Sequence, residues 1–324
     1  MRTNIQIANI SFELSLDNDI ASYFFKRVQK AEEITSATTD VRIICNKQKR
    51  LTFSNQKFIH QQEPDIGDLF LYREIFDLGI FQYNRKEKIL EIYYMDTEQY
   101  PYNSFEVVVD TLLQFIYLIM LDFNIIPLHA SVVMHEDSAI LLFGNSGSGK
   151  TTLELSLLES GFQFFSDDIA FLDQNNTIFS SGEHIVACSK STMDIIKSTF
   201  SVDYFYNTPD HMTGKHMIVV PDALICQYKE ANPSVIIFPT LSEDGRESLE
   251  RISAKTAWLE LIQLSISKQF NSLQKQLYMK RLKALSESTI AFRYNRTNKS
   301  ENMLKAICSK VRDLYSVQEV SMDD

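Results

Sequence analysis

A chain of 324 residues, 44% hydrophobic and 23% charged, is long enough for about two domains with buried cores. Its formal net charge of -10 and pI near 5.2 argue against a nucleic acid as the main partner, because binding a phosphate backbone depends on clustered Lys and Arg. Cys45, Cys188, Cys226 and Cys308 lie far apart without C-x-x-C spacing, which fits reduced thiols in a cytoplasmic protein rather than a zinc or redox centre.

The opening MRTNIQIANISFELSLDND meets acidic residues before any long apolar core forms, so no secretory signal is expected. From there to about Tyr102 the segments IQIANISFEL, VRIICN, FLYREIFDLGIFQYN and ILEIYYMD alternate apolar and polar residues between Asn-, Asp- and Lys-rich turns. That period of two predicts antiparallel strands, so residues 1–103 are expected to form a mostly β N-terminal domain with a role in substrate recognition. The basic run at 46–50 reads as a solvated turn. Residues 107–126 are the most membrane-like stretch, but Asp110, Gln114 and Asp122 interrupt it, and a buried helix with no membrane contact is expected.

The second domain is expected over 104–324. Residues 129–134 read as a strand, 135–138 as a tight connection, and 139–143 as a fully apolar strand buried inside a sheet. A helix then runs to Ser160, Gly161 ends it, and 162–165 form the next strand. Strands at 216–224 and 234–241 follow, then a long or broken amphipathic helix over 254–286, a strand at 290–294 and a closing helix from Glu301. Trp258, Leu261, Ile262, Leu264, Phe270, Leu273 and Leu277 supply the apolar face of the long helix.

Between the strand at 139–143 and its helix lie Gly144, Asn145, Ser146, Gly147, Ser148, Gly149, Lys150 and Thr151, a full match to the phosphate-binding pattern G-x-x-x-x-G-K-[ST] in the strand–loop–helix context it requires. Glycines let the backbone curl so that N–H groups point at phosphate oxygens, and the helix start adds partial positive charge. Lys150 is expected to neutralise the β and γ phosphates of ATP, and the Thr151 hydroxyl to ligate Mg²⁺, with Thr152 completing the nucleotide site.

Asp167 and Asp168 end the very next strand. A strand, a helix and a parallel strand make one crossover, which brings both carboxyl ends to the same sheet edge, so the pair is expected to face the phosphates. Asp167 is expected to accept the proton of an attacking hydroxyl and Asp168 to hold the metal, although strand alternation sends neighbouring side chains to opposite faces.

His129 at a strand start, the hairpin into GNSGSGKTT, and a helix ending in Gly161 before FFSDD together resemble the catalytic domain of HPr kinase/phosphorylase, a family related to PEP carboxykinases. The likeness covers residues 126–172 and, more loosely, the strands to about Leu241. It implies an α/β fold with a P-loop catalytic domain, kinase activity with ATP and Mg²⁺, a peptide or small-protein acceptor and a hexamer or smaller homo-oligomer. His129, Lys150 and Asp167 correspond to the family's active-site residues. The chain is also similar to relatives encoded with ribosomal-peptide pathways, including lasso-peptide kinases that phosphorylate serine on a precursor. Departures are Ala130 for the family's Gly, Asn145 for its loop Asp, Thr151-Thr152 for Ser-Glu, and no Glu-Ile-Arg-Gly stretch; HPr as substrate and the reverse reaction therefore do not follow.

Taken alone, His129 reads either as a structural strand-end group or as a group tuning charge near the γ phosphate. Lys215, after the Gly- and Pro-bearing segment 207–214, is either an exposed loop residue or the cation of a flap. Glu183 is a candidate further metal ligand. A nucleotide-regulated binding protein and a kinase for a small metabolite such as free serine are the rival functions; N-K-x-D after the loop and L-S-G-G-Q are both missing from the sequence.

Overall fold

Ile5, Ile7, Phe12 and Leu14 alternate with polar neighbours and turn inward from β1 (Arg2–Ile7) and β2 (Ile10–Ser15), a computed structural model shows. Residues 1–28, 39–48, 51, 59–62, 69–75, 79–95, 104–190, 192–194, 206–209, 215–242, 246–266 and 272–296 are described; the closing helix expected from Glu301 lies outside them. Ala8 and Asn9, both at positive φ (47° and 66°), make the two-residue hairpin turn that suits strand twist.

Helix α1 (Asn18–Arg27) follows, with the Asp17 carboxylate capping the Asp19 and Ile20 amides and Ile20, Ala21 and Phe24 buried. It carries the chain from β2 to β3 (Val41–Lys47), which lies parallel to β2. Then come β4 (Ile59–Gln62), β5 (Leu69–Ile75), β6 (Gly79–Asn84) and β7 (Ile89–Tyr94). The described strands line up as β1-β2-β3-β7-β6-β5-β4, and β3 is parallel to β7 as well. The expectation of antiparallel strands is corrected here: the sheet is mixed, because a helical crossover and a long return replace hairpins on both sides of β3.

The helix expected near 107–126 is α2 (Ser104–Met120). Its Phe115 ring stacks on Phe81 of β6 at 5.2 Å, and the chain divides into compact units at Met1–Ile119 and Met120–Asp324. The compact units divide at the last residue of this helix, whereas the sequence pattern puts the domain boundary at 103/104. No helix among the described residues is long and apolar enough to cross a membrane.

The second unit begins with β8 (Ile126–Leu128), β9 (Ala130–His135), β10 (Ser138–Phe143), α3 (Lys150–Glu159) and β11 (Gln163–Ser166). Strand β9 is antiparallel to both β10 and β11 and sits between them. Consequently β10 and β11 are parallel to one another and their carboxyl ends share one sheet edge, as expected, with the amino end of β9 inserted between them. Next are β12 (Ala170–Leu172), β13 (Ile178–Ser180), β14 (Ile185–Cys188), β15 (Tyr206–Pro209), β16 (His216–Val219), β17 (Glu230–Leu241), β18 (Ser248–Ile252) and β19 (Ile290–Arg296). β17 extends the sheet parallel to β10, β19 follows parallel to β17, and β14-β16-β15 form a small separate sheet. The long or broken helix expected at 254–286 is broken into two, Ala254–Ser265 and Ser272–Ser288.

α3 is enclosed rather than amphipathic: Leu153, Leu155, Leu157 and Leu158 are buried around its circumference, against β9, β10, β11 and β14. Val133, Ile140, Leu142 and Ile237 from the sheet complete this core. Leu142→Ala, in a fully buried position, is expected to destabilise the second unit by about 2–5 kcal/mol, read as an earlier unfolding transition in urea.

Candidate functional site

Where β10 ends at Phe143 the chain curls into the phosphate loop. A Cβ on Gly144 would come within 2.4 Å of Ser148 Oγ, so the loop closes only over a residue without one. Gly149 stands at φ 106°, a left-handed conformation, and caps α3 with no side chain covering the first-turn amides. That end of α3 is therefore available to an anion. Lys150 is buried and its ammonium donates to the Gly144 carbonyl at 2.6 Å, bridging the base of the loop. Burial pulls its pKa down, with Asp168 and Asp167 pulling the other way.

β11 ends in a bulged register against β9 and then a tight turn: the Ile169 amide donates to the Asp167 carbonyl at 2.6 Å, with Asp168 between them at φ 59°. A non-glycine residue held there stores backbone strain, a common trait of functional sites. The turn separates the two carboxylates. Asp167, 4% exposed, accepts from Ser131 Oγ at 2.7 Å and from the Ala187 amide at 3.2 Å. Asp168 is half-exposed, and its carbonyl accepts from His129 Nδ1 at 3.1 Å, while its Oδ1 lies 3.9 Å from the same nitrogen. Since a carbonyl can only accept, Nδ1 carries the proton and Nε2 of the neutral ring is left as the acceptor. Partial burial pulls the His129 pKa below its usual range; the charge of Asp168 opposes this.

A cleft of ≈ 420 Å³ lies against the loop. Asn145, Ser146, Gly147, Gly149, Lys150, Thr151 and Thr152 form one wall; His129, Asp168 and Lys215 contribute to the rest, with Cys188, Ser189 and Thr192. Gly144 and Ser148 shape the loop without lining the cleft. Lys215 arrives there because β16 pairs with β14, Cys188 opposite His216; of the segment before it, 210–214 lies outside the described residues. Asp167 and Glu183 are both buried and do not line the cleft. Thus Asp168 meets the cleft directly, whereas Asp167, expected to be the proton acceptor, lies beneath it.

Oxygen donors from Thr151 and Asp168 in one cleft fit Mg²⁺, a hard cation usually held by one or two protein oxygens plus phosphates and water. Among the described residues no group of three or more His, Cys, Asp or Glu could hold a metal by itself.

Comparison with known proteins adds little to this geometry. No family model matches the chain, and no curated protein matches it. The solved structure of the HPr(Ser) kinase/phosphatase from Coxiella burnetii is similar over 61% of this chain and 94% of its own, at 16% identity and a TM-score of 0.32. A likeness of that size carries no argument about activity, which rests on the site's own residues.

Sequence reading missed three contributors. Ser131 and the Ala187 amide hold Asp167, and Glu154, fully buried on α3, lies beside it. The leucines at 153, 155, 157 and 158 were the available signal for Glu154, since a helix apolar on every side leaves no solvent face for a carboxylate. Burial, then the charge of Asp168, pushes the Asp167 pKa up to about 6, against the hydrogen bonds from Ser131 and Ala187. Burial and then Asp167 push Glu154 well above the usual carboxylate range.

Cys188 is also affected: burial first and Asp167 second push its thiol up to about 11. A thiol is protonated, and inert as a nucleophile, below its pKa. Iodoacetamide at pH 8 is therefore expected to leave Cys188 of the folded chain unmodified in site-resolved mass spectrometry, with alkylation appearing only on unfolding.

Proposed function

We propose that this protein is an ATP- and Mg²⁺-dependent kinase that transfers the γ-phosphoryl group to a Ser or Thr hydroxyl of a peptide or small protein, in the finer form a ribosomally made precursor peptide. One observation carries the reading: a phosphate loop and a strained, cleft-lining carboxylate, Asp168, share one cleft with a cation on each side, Lys150 and Lys215. Phosphoryl transfer requires that combination of cradle, charge compensation and an oriented acceptor.

In this mechanism the loop amides and Lys150 hold the β and γ phosphates. Asp168 orients the acceptor hydroxyl and takes its proton as the new O–P bond forms and the bond to ADP breaks. Nε2 of neutral His129, beside Asp168, accepts a hydrogen bond from the acceptor side of the cleft, and Lys215 offsets charge on the moving phosphoryl group. Thr151 and Asp168 would hold Mg²⁺, which supplies further charge neutralisation at the phosphate oxygens. Asp167 supports Asp168 from beneath. A second arrangement, with Asp167 as the proton acceptor, is favoured by its pKa near 6 but requires its carboxylate to leave Ser131 and Ala187.

Incubation with ATP, Mg²⁺ and Ser-containing peptides, followed by mass spectrometry, is expected to give a stable phosphopeptide. Turnover without any phosphoproduct would favour a nucleotide switch, and phosphorylation of free serine alone a metabolite kinase. Lys150→Ala is expected to abolish nucleotide binding or turnover in a binding titration and an ADP-release assay. Asp168→Asn is expected to keep nucleotide binding while transfer falls by about 10²–10⁴-fold, the usual contribution of a positioned base. Asp167→Asn should cost less; the reverse ranking would favour Asp167 as the proton acceptor.

A further inference from the structure

Residues 167–169 make a turn that a free chain would not keep. Asp168 stands at φ 59°, a conformation disfavoured for a residue with a side chain, and it persists only where the surroundings hold it. Three donors do so, one on each successive carbonyl. The Ile169 amide donates to the Asp167 carbonyl at 2.6 Å and His129 Nδ1 to that of Asp168 at 3.1 Å, while the Ser166 hydroxyl donates to the Ile169 carbonyl across the whole turn.

Ser166 closes β11 and is 0% exposed. Its one proton is committed to Ile169, so the Ser181 hydroxyl, 3.0 Å away, is the donor between the two serines. The Ser181 amide gives Ser166 Oγ a further bond at 3.2 Å, and the Ser181 hydroxyl itself accepts from the Glu183 amide at 3.3 Å. The donor and both acceptor places of the Ser166 hydroxyl are thus filled, and the bonds run in one direction, from Glu183 through Ser181 to the turn. Beside them Ser180 Oγ donates to the Phe165 carbonyl at 2.7 Å and accepts from the Gly182 amide at 3.0 Å. Residues 180–183 therefore lie as a strap along the end of β11.

We infer that Ser166 is a positioning residue: its hydroxyl, oriented by Ser181, clasps the turn in the shape that sends Asp168 to the cleft and Asp167 beneath it. Ser166 does not line the cleft, so its effect is exerted through Asp168. Alanine at 166 would take this partner from the Ile169 carbonyl and from both polar groups of Ser181, which is itself buried. The turn is then free to relax toward a negative φ, which redirects the Asp168 side chain.

The consequence for transfer rests on the kinase reading; the clasp does not, and the two are tested apart. Ser166→Ala is expected to lower kcat by about tenfold or more with nucleotide affinity kept within about threefold. Threonine and valine at 166 share one shape and differ in the hydroxyl, so any crowding by the added methyl is common to both. Ser166→Thr should therefore keep a kcat about tenfold or more above that of Ser166→Val. Equal kcat in that pair, or an unchanged kcat in Ser166→Ala, would overturn the positioning role. Hydrogen exchange of the segment 166–170 reads the turn itself with no acceptor present. Ser166→Ala should speed exchange of the Ile169 amide by about tenfold or more while the segment 139–143 keeps its protection. Unchanged exchange at Ile169 would sink the clasp. Ser181→Ala keeps the Ser166 hydroxyl and removes the donor behind it, so it serves if Ser166→Ala does not fold: exchange of the same amide should rise by about threefold or more, and no rise would equally overturn the clasp. Wild type that transfers to no acceptor, with the Ile169 amide still released in the variants, would refute the kinase and leave Ser166 as assigned.

Discussion

Asp167 is a buried carboxylate, and the cleft above it is organised around keeping it there. Its hydrogen-bond donors come from β9 and β14, neither of them adjacent to it in sequence. A buried negative charge is tolerated only when donors surround it, so the positions of these elements are tied to one another by a single group. The adjacent residue then has little freedom: with Asp167 fixed inside and the chain turning back at Ile169, Asp168 is driven outward toward the loop.

The topology makes this convergence possible. Strand β9 between β10 and β11 brings its amino end to the edge where the other two strands finish, so His129 and Ser131 flank the phosphate loop and the aspartate turn. A simple crossover with β10 and β11 as direct neighbours would leave no place for either residue. The small sheet of β14, β15 and β16 supplies the remaining side, contributing an amide to Asp167 and Lys215 to the cleft.

The local parts of this arrangement were legible in the sequence. Phosphate loop, apolar β10, the helix and its stop at Gly161 depend on residues within one short stretch, and their patterning is strong. Nonlocal pairing was not legible: nothing in VRIICN says that it lies parallel to strands on both sides, and α1 shows only Asp17, Ile20, Ala21 and Phe24 as its signature. The aspartate pair was visible as a pair, yet which member meets the cleft depends on a bulge and a left-handed residue that alternation rules do not contain. The burial of Glu154 was legible only indirectly, through the leucines at 153, 155, 157 and 158 around it.

Enclosure of α3 has a consequence for how a ligand is received. A surface helix at a phosphate site can rock or fray, and part of the binding energy is then consumed in aligning it. Here leucines meet β9, β10, β11 and β14 around the helix, so its axis has nowhere to swing. Its dipole points at the loop before any nucleotide arrives and keeps that direction afterward, a field set in advance by core packing and needing little reorganisation when charge moves.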